Sequence, residues 1–312
     1  MRSALATLLL HHPCFLDHLT PPGHPERPDR MRAVDRILEA ERFQTLERET
    51  APLGDIDIAL LAHPASHVDT IREHIPTSGI VQLDGDTSVS PGSWEAMQRA
   101  IGASTQAVDE VLAGKVNNAF CAIRPPGHHA ETAHAMGFCL FNTIAIAARY
   151  AQRKHGVDRI AIVDFDVHHG NGTQDIFWND PSVLYCSTHQ MPLFPGTGAT
   201  SETGVGNIVN APLHAGDGSA EFREAMDIAI LPRIDAFAPE LILISAGFDA
   251  HFRDPLASIN LVEGDYAWIT KKLMDLADKH CNGRLVSLLE GGYDLEGLAK
   301  SAATHISTLM NA

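Results

Sequence analysis

The stretch Asp164-Phe165-Asp166-Val167-His168-His169 sets acidic and imidazole side chains at alternate positions. Alternate side chains of an extended segment share a side, so Asp166 and His168 can reach one metal ion together while Phe165 and Val167 pack the other way. Asp249, in Gly247-Phe248-Asp249, offers a third carboxylate from a distant stretch. Three oxygen and nitrogen donors without thiolate, with one position left for water, are what a catalytic zinc site needs. His128-His129 follow Pro125-Pro126-Gly127, a stiff loop with one residue free to turn. Two imidazoles beside an activated water can divide the taking and returning of a proton. Each needs a partner that sets its tautomer, and Asp164 and Asn171 are the candidates. The aspartate would raise the basicity of its histidine, whereas the neutral asparagine would only orient. Tyr293 follows two glycines, and its phenol could donate to a carbonyl oxygen that gains negative charge. Taken singly, each of these residues is as well explained as a strand-end cap, a salt bridge or a packed side chain; the set is what argues for chemistry.

Each cluster directly follows a short apolar run. The expected strands are Ala4–Leu10, Ala119–Ile123, Arg159–Phe165, Val183–Ser187, Asn207–Ala211, Leu241–Ser245 and Leu285–Leu289. Between them lie helical patterns over Pro28–Leu46, Ser93–Ala113, Phe141–His155, Ser219–Phe237, Glu263–His280 and Leu295–Leu309. Runs such as Ile160-Ala161-Ile162-Val163 are apolar without alternation, the pattern of parallel strands covered on both faces. The expected fold class is α/β, a mostly parallel central sheet with helices on both faces, in one catalytic domain over residues 1–312. In open α/β sheets the carboxyl ends of the strands form the ligand crevice, so the four clusters should converge there.

The composition, 45% hydrophobic and 20% charged, is that of a globular protein, which excludes disordered and collagen-like chains. A net charge of −16 with no long basic run argues against direct nucleic-acid binding. No apolar stretch reaches the length of a membrane span. The run Ala4–Leu10 leads straight into His11-His12-Pro13 without a cleavage site and reads as a strand, not a secretory leader. Five widely spaced cysteines, with no Cys-x-x-Cys pair, indicate neither a disulfide framework nor a thiolate zinc site and suit a cytoplasmic location. The 18 histidines are the unusual number, since histidine is the commonest metal ligand and the usual acid–base residue near neutral pH.

Arg124–Ala130, Asp164–Gln174, Phe194–Gly198, Ser245–Pro255 and Leu289–Leu295 together resemble the motif set of the zinc-dependent histone deacetylase family. His168–Gln174 and His24-Pro25-Glu26-Arg27-Pro28 resemble its class II branch and the bacterial histone deacetylase-like amidohydrolases. The resemblance runs over nearly the whole chain in order. It implies the arginase/deacetylase fold and hydrolysis of N-acetyl amides by metal-activated water. It implies one catalytic zinc on Asp166, His168 and Asp249, acid–base work by His128 and His129 with His129 the main base, and oxyanion stabilisation by Tyr293. Gly137, Phe138 and Phe194 match the walls of an acyl-lysine tunnel, Asp86 the rim carboxylate that holds substrate backbone. Leu256 stands at a gate position where polyamine-selective relatives carry an acid. The resemblance also implies structural potassium: one site from Asp164, Asp166, His168, Ser187 and Thr188, a second from backbone carbonyls around Phe177, Asp180 and Val183. The implied partner is acetylated lysine in a protein or peptide, or a small acetylated amine, with homo-oligomerisation open.

Three other readings compete. A dinuclear manganese ureohydrolase would carry acids where Gly170 and His251 stand. A non-catalytic acetyl-amine binding module would have no need of the proton-transfer pair. An acetylpolyamine amidohydrolase would share the chemistry and differ in substrate.

Overall fold

The computed structural model describes residues 6–311. Ala4 and Leu5, the start of the expected first strand, lie outside the described residues. Strands β1 (Thr7–His11), β2 (Glu47–Thr50), a small hairpin of β3 (Val81–Gln82) and β4 (Ser88–Val89), then β5 (Asn118–Cys121), β6 (Ile160–Asp164), β7 (Val183–Gln190), β8 (Ile208–Leu213), β9 (Leu241–Ala246) and β10 (Leu285–Leu289) follow in chain order. Among the described residues eight of them form one sheet in the order β2-β1-β5-β10-β9-β6-β7-β8, and every neighbouring pair is parallel. The central strands β5, β6, β9 and β10 are buried at every residue, as parallel strands covered on both faces are.

The helices are α1 (Asp29–Ile37), α2 (Ala65–His74), α3 (Ser93–Leu112), α4 (Thr143–His155), α5 (Asn171–Phe177), α6 (Ser219–Ala225), α7 (Leu231–Phe237), α8 (Glu263–Cys281) and α9 (Leu295–Leu309). α1, α8 and α9 pack as one layer and α3 with α4 as another, and α8 and α4 both pack on β9. Local chemistry sets the ends. The Asn142 side chain accepts the Ala145 N–H at 3.0 Å to start α4, and Gly156 closes it with a φ of 67°. The Asp294 carboxylate accepts the Gly297 N–H at 2.7 Å to start α9, directly beyond Tyr293.

Two expected helices are broken. The pattern over Ser219–Phe237 is interrupted by a π turn at Met226–Ile230, because Pro232 has no N–H to give the carbonyl four residues back. The pattern over Pro28–Leu46 ends at Ile37 and resumes as one short turn, Glu41–Phe43, since the chain must reach the sheet edge as β2. That strand, Glu47-Arg48-Glu49-Thr50, is exposed throughout; a charged edge resists pairing with another sheet and carries no apolar signal.

The strand order positions the chemistry. The four clusters follow β5, β6, β9 and β10, which are contiguous in the sheet as β5-β10-β9-β6. All four loops therefore leave the same edge side by side.

Candidate active site

Asp166, His168 and Asp249 are buried, and their donor atoms all lie within 4.8 Å of one another. His168 Nδ1 is 3.2 Å from Asp166 Oδ1 and 3.0 Å from Asp249 Oδ2. Main-chain N–H groups orient the carboxylates. Gly291 donates to Asp166 Oδ2 at 2.8 Å and Val167 to Asp249 Oδ1 at 2.8 Å. Gly291 is required by proximity: a Cβ there would lie 2.6 Å from Asp166 Oδ2. Burial opposes charge on His168, yet its two carboxylate neighbours lift its pKa to about 10. Burial, and then repulsion from Asp166, raises Asp249 to about 7. Two buried acids sharing one imidazolium are short of positive charge. A dication in place of that proton satisfies all three groups, and an O,N,O donor set without thiolate fits zinc.

The His128 and His129 rings lie with centroids 4.0 Å apart, tilted by 44°, and have different partners. His128 Nδ1 lies 2.9 Å from Asp164 Oδ2, which also accepts the Tyr185 hydroxyl at 3.0 Å. His129 Nδ1 lies 2.8 Å from Asn171 Oδ1. Asn171 Nδ2 donates to Glu131 at 2.8 Å, so its oxygen faces His129 and the ring carries its proton on Nδ1, leaving Nε2 free to accept one. Burial alone would depress His128, but Asp164, Asp166 and Glu290 outweigh it and hold the ring well above the ordinary imidazole value. Burial, with charge on His128 and His168 alongside, drives His129 well below it. Two adjacent imidazoles pushed in opposite directions favour different protonation states, one charged and one neutral.

A pocket of about 260 Å³ leads to this floor. Its lining includes Asp86, His129, Gly137, Phe138, His168, Phe194, Leu256 and Tyr293, and also Leu193. Phe194 stands edge-on to His129 at 5.1 Å and Phe138 edge-on to Tyr293 at 5.8 Å. Tyr293 is nine-tenths buried, its ring 6.5 Å from His168. Gly137 and Phe138 turn with φ of 57° and 69°, a conformation costly for phenylalanine. Asp86 Oδ1 accepts the Gly137 N–H at 3.1 Å and Thr87 Oγ1 the Phe138 N–H at 3.0 Å, which holds the wall in place. A Cβ on Gly137 would meet the His129 ring at 2.5 Å.

Of the residues with potassium in view, Asp164 and Ser187 are paired across β6 and β7, and Thr188 follows in β7. The carbonyls of Phe177, Asp180 and Val183 converge on the side-chain nitrogen of Asn207.

Several positioning residues escape a sequence reading. Glu290 Oε2 accepts the N–H of Gly127 at 2.7 Å and of His128 at 3.2 Å, while Ser245 donates to Oε1 at 2.9 Å. One buried carboxylate thus joins the ends of β5, β9 and β10. Asp254 Oδ2 accepts the Tyr293 N–H at 2.7 Å. Arg30, fully buried in α1, donates from Nε to the Gly292 carbonyl at 2.7 Å, its guanidinium 5.1 Å from the Tyr293 ring. Their only signal is charge embedded in an apolar setting, which names no partner.

The Histone deacetylase domain profile matches residues 24–309. A "Probable deacetylase" of Archaeoglobus fulgidus is 41% identical over 94% of this chain and 83% of its own length. The "Histone deacetylase-like amidohydrolase" of Pseudomonas aeruginosa is 38% identical over 87% of this chain and 73% of its own length. The crystal structure of the HDA15 HD domain superposes with a TM-score of 0.94 at 36% identity, covering 99% of this chain and 89% of that one. The sheet and its helices are the arginase/deacetylase α/β fold. With likeness of sequence and of fold running through every strand-end loop of the site, the chain belongs to the histone deacetylase family and is a deacetylase-type hydrolase.

Proposed function

We propose that the chain is a zinc-dependent amidohydrolase that removes acetyl groups from lysine side chains of proteins or peptides. The observation that carries this reading is the floor of the pocket, where an O,N,O donor trio, two oppositely tuned histidines and a buried phenol meet beneath aromatic walls. Zinc would be held by Asp166, His168 and Asp249, and it supplies Lewis acidity that activates water and polarises an acyl oxygen.

Phe138, Phe194, Leu193 and Leu256 take the apolar stem of the substrate and exclude water. Leu256, in place of an acid at the gate position, favours a lysine stem over a polycation, and Asp86 at the rim is available to substrate backbone N–H groups. His129 Nε2 takes the proton of the attacking water and returns it to the departing amine. His128, held by Asp164, remains the charged neighbour that steadies the site. The Tyr293 hydroxyl donates to the oxyanion as the acyl carbon becomes tetrahedral. Products are acetate and free amine. A structural potassium ion on the Asp164–His168 segment with Ser187 and Thr188 belongs to the same reading, supported by the β6–β7 register. Five buried, unpaired cysteines suit a reducing cytoplasm; among the described residues no helix is long and apolar enough to cross a membrane.

The test is one panel of acetyl-lysine peptides, longer acyl-lysines and acetylpolyamines, run with metal analysis. Acetyl-lysine turnover with one zinc per chain is expected. Preference for acetylpolyamines overturns the substrate assignment, and failure to release any amine overturns the hydrolase reading.

A further inference from the structure

The turn that carries the chain from α5 into β7 presents three backbone carbonyls, of Phe177, Asp180 and Val183, to one point. A side chain stands at that point. Nδ2 of Asn207 lies 2.8 Å from the Phe177 oxygen and 2.9 Å from those of Asp180 and Val183. The direction of the amide is set independently, because its Oδ1 accepts the Val205 N–H at 3.2 Å, so the nitrogen must face the carbonyls. Asn207 is 4% exposed, and its own carbonyl accepts the Tyr185 N–H at 2.9 Å, which ties the residue to β7. The Asp180 carboxylate is engaged elsewhere, by Arg149 and by Ser182.

Converging carbonyl oxygens repel one another and need positive charge between them, either a cation that exchanges its hydration for them or an N–H donor. The same trio is where family resemblance implies a second potassium ion. Here the amide fills the space such an ion would need. For an ion to enter, the Asn207 head would have to leave, abandoning three buried acceptors and giving up its bond from the Val205 N–H.

We propose that Asn207 is a built-in substitute for the second monovalent cation: the chain clips the α5–β7 turn to the start of β8 with its own amide, takes no potassium there, and exposes a latent cation site only when the amide is removed. Each hydrogen bond of the clip is intramolecular, so the turn holds irrespective of the potassium supply. The inference does not depend on the reading of the hydrolytic centre.

The experiment uses thallous ion, a heavy potassium mimic located by its anomalous scattering, in crystals of the zinc-loaded protein and of Asn207→Ala. The wild type is expected to show no thallium within reach of the Phe177, Asp180 and Val183 carbonyls, and the variant to show it there. In solution the variant's unfolding temperature is expected to rise on exchanging sodium for potassium at constant ionic strength, by on the order of 3 °C more than the wild type's. Thallium among the three carbonyls of the wild type, with Asn207 turned away, overturns the proposal. So does a variant that places water there and no thallium, since the carbonyls would then have no use for a cation. The wild-type crystal decides the first point even if the variant does not fold.

Discussion

At the scale of single residues the proposed chemistry rests on Tyr293 and His129, with His128 beside them. The phenol is buried, and the peptide unit that precedes it is held at both its polar groups, by Asp254 at the Tyr293 N–H and by Arg30 at the Gly292 carbonyl. Preorganised in this way, a single hydroxyl donor accounts for a factor of roughly 10²–10³ in turnover. Tyr293→Phe is expected to lose at least that much on an acetyl-lysine peptide while retaining zinc by metal analysis; near-normal turnover would remove the role assigned to the hydroxyl. The donor trio makes a separate prediction. With Asp166 and Asp249 drawn to one buried imidazole, chelation is expected to lower the unfolding temperature by several degrees, because a ligand that binds only the folded state stabilises it by mass action. Zinc should restore the loss, and an Asp249→Ala variant should show no such response. A chain whose stability ignores both chelator and zinc would not have the proposed metal centre. The types and spacing of these residues were legible in the sequence because the alternation of an extended segment is local. The tautomer of His129 was not, since it rests on Asn171 being oriented by Glu131 across 40 positions.

Glu290 acts at the scale of elements, because it binds the end of β10 to the loop beyond β5 and to Ser245 in β9. Glu290→Ala strands two buried N–H groups, at a cost of about 2–4 kcal/mol, and frees the loop that aims His128 and His129. The expected outcome is a lower denaturant midpoint together with a kcat reduced at least tenfold and little change in KM. Glu290→Gln is expected to cost less, since its oxygen can still accept the N–H pair and the Ser245 hydroxyl can turn to accept from the amide. Equal damage from both variants would mean that charge, not anchoring, is the contribution of Glu290. Among the elements, long apolar runs were the readable ones: β10 and α9 begin and end where their patterns do. The misses have physical causes. β2 is charged because it is an edge, and the π turn before α7 follows from a proline whose pattern is otherwise helical.

Acid sensitivity belongs to the whole molecule, because several histidines lie inside it as neutral rings. His305 in α9 meets Thr270 of α8 at 2.6 Å and Ser287 of β10 at 2.9 Å, and burial lowers its pKa from 6.5 to about 3. Burial, aided by the Arg124 charge, lowers His18 to about 3, and burial lowers His63 to about 4. For such groups the unfolded chain takes up protons that the folded one refuses. Their stabilisation is complete above pH 6.5 and is lost as pH falls toward the folded values. Each contributes a slope of roughly 1.4 kcal/mol per pH unit within that window. Unfolding followed from neutral pH downward should steepen below pH 6.5, and His305→Gln should remove about one histidine's share of the slope. An unaltered slope in that variant would show that His305 titrates no differently when folded.

The sequence by itself determined which side chains could meet a metal, a water and an acyl group, and that they follow apolar strands, because periodicity and strand-end placement are local properties of the chain. Tertiary structure alone decided that β5, β10, β9 and β6 are neighbours, which brings loops more than a hundred residues apart onto one floor. It also decided that Glu290 anchors the histidine loop and that the Asn207 amide occupies a carbonyl trio. No spacing rule reaches such pairings: they depend on the order in which strands are laid into the sheet and on which buried donor must satisfy which buried acceptor once water is excluded.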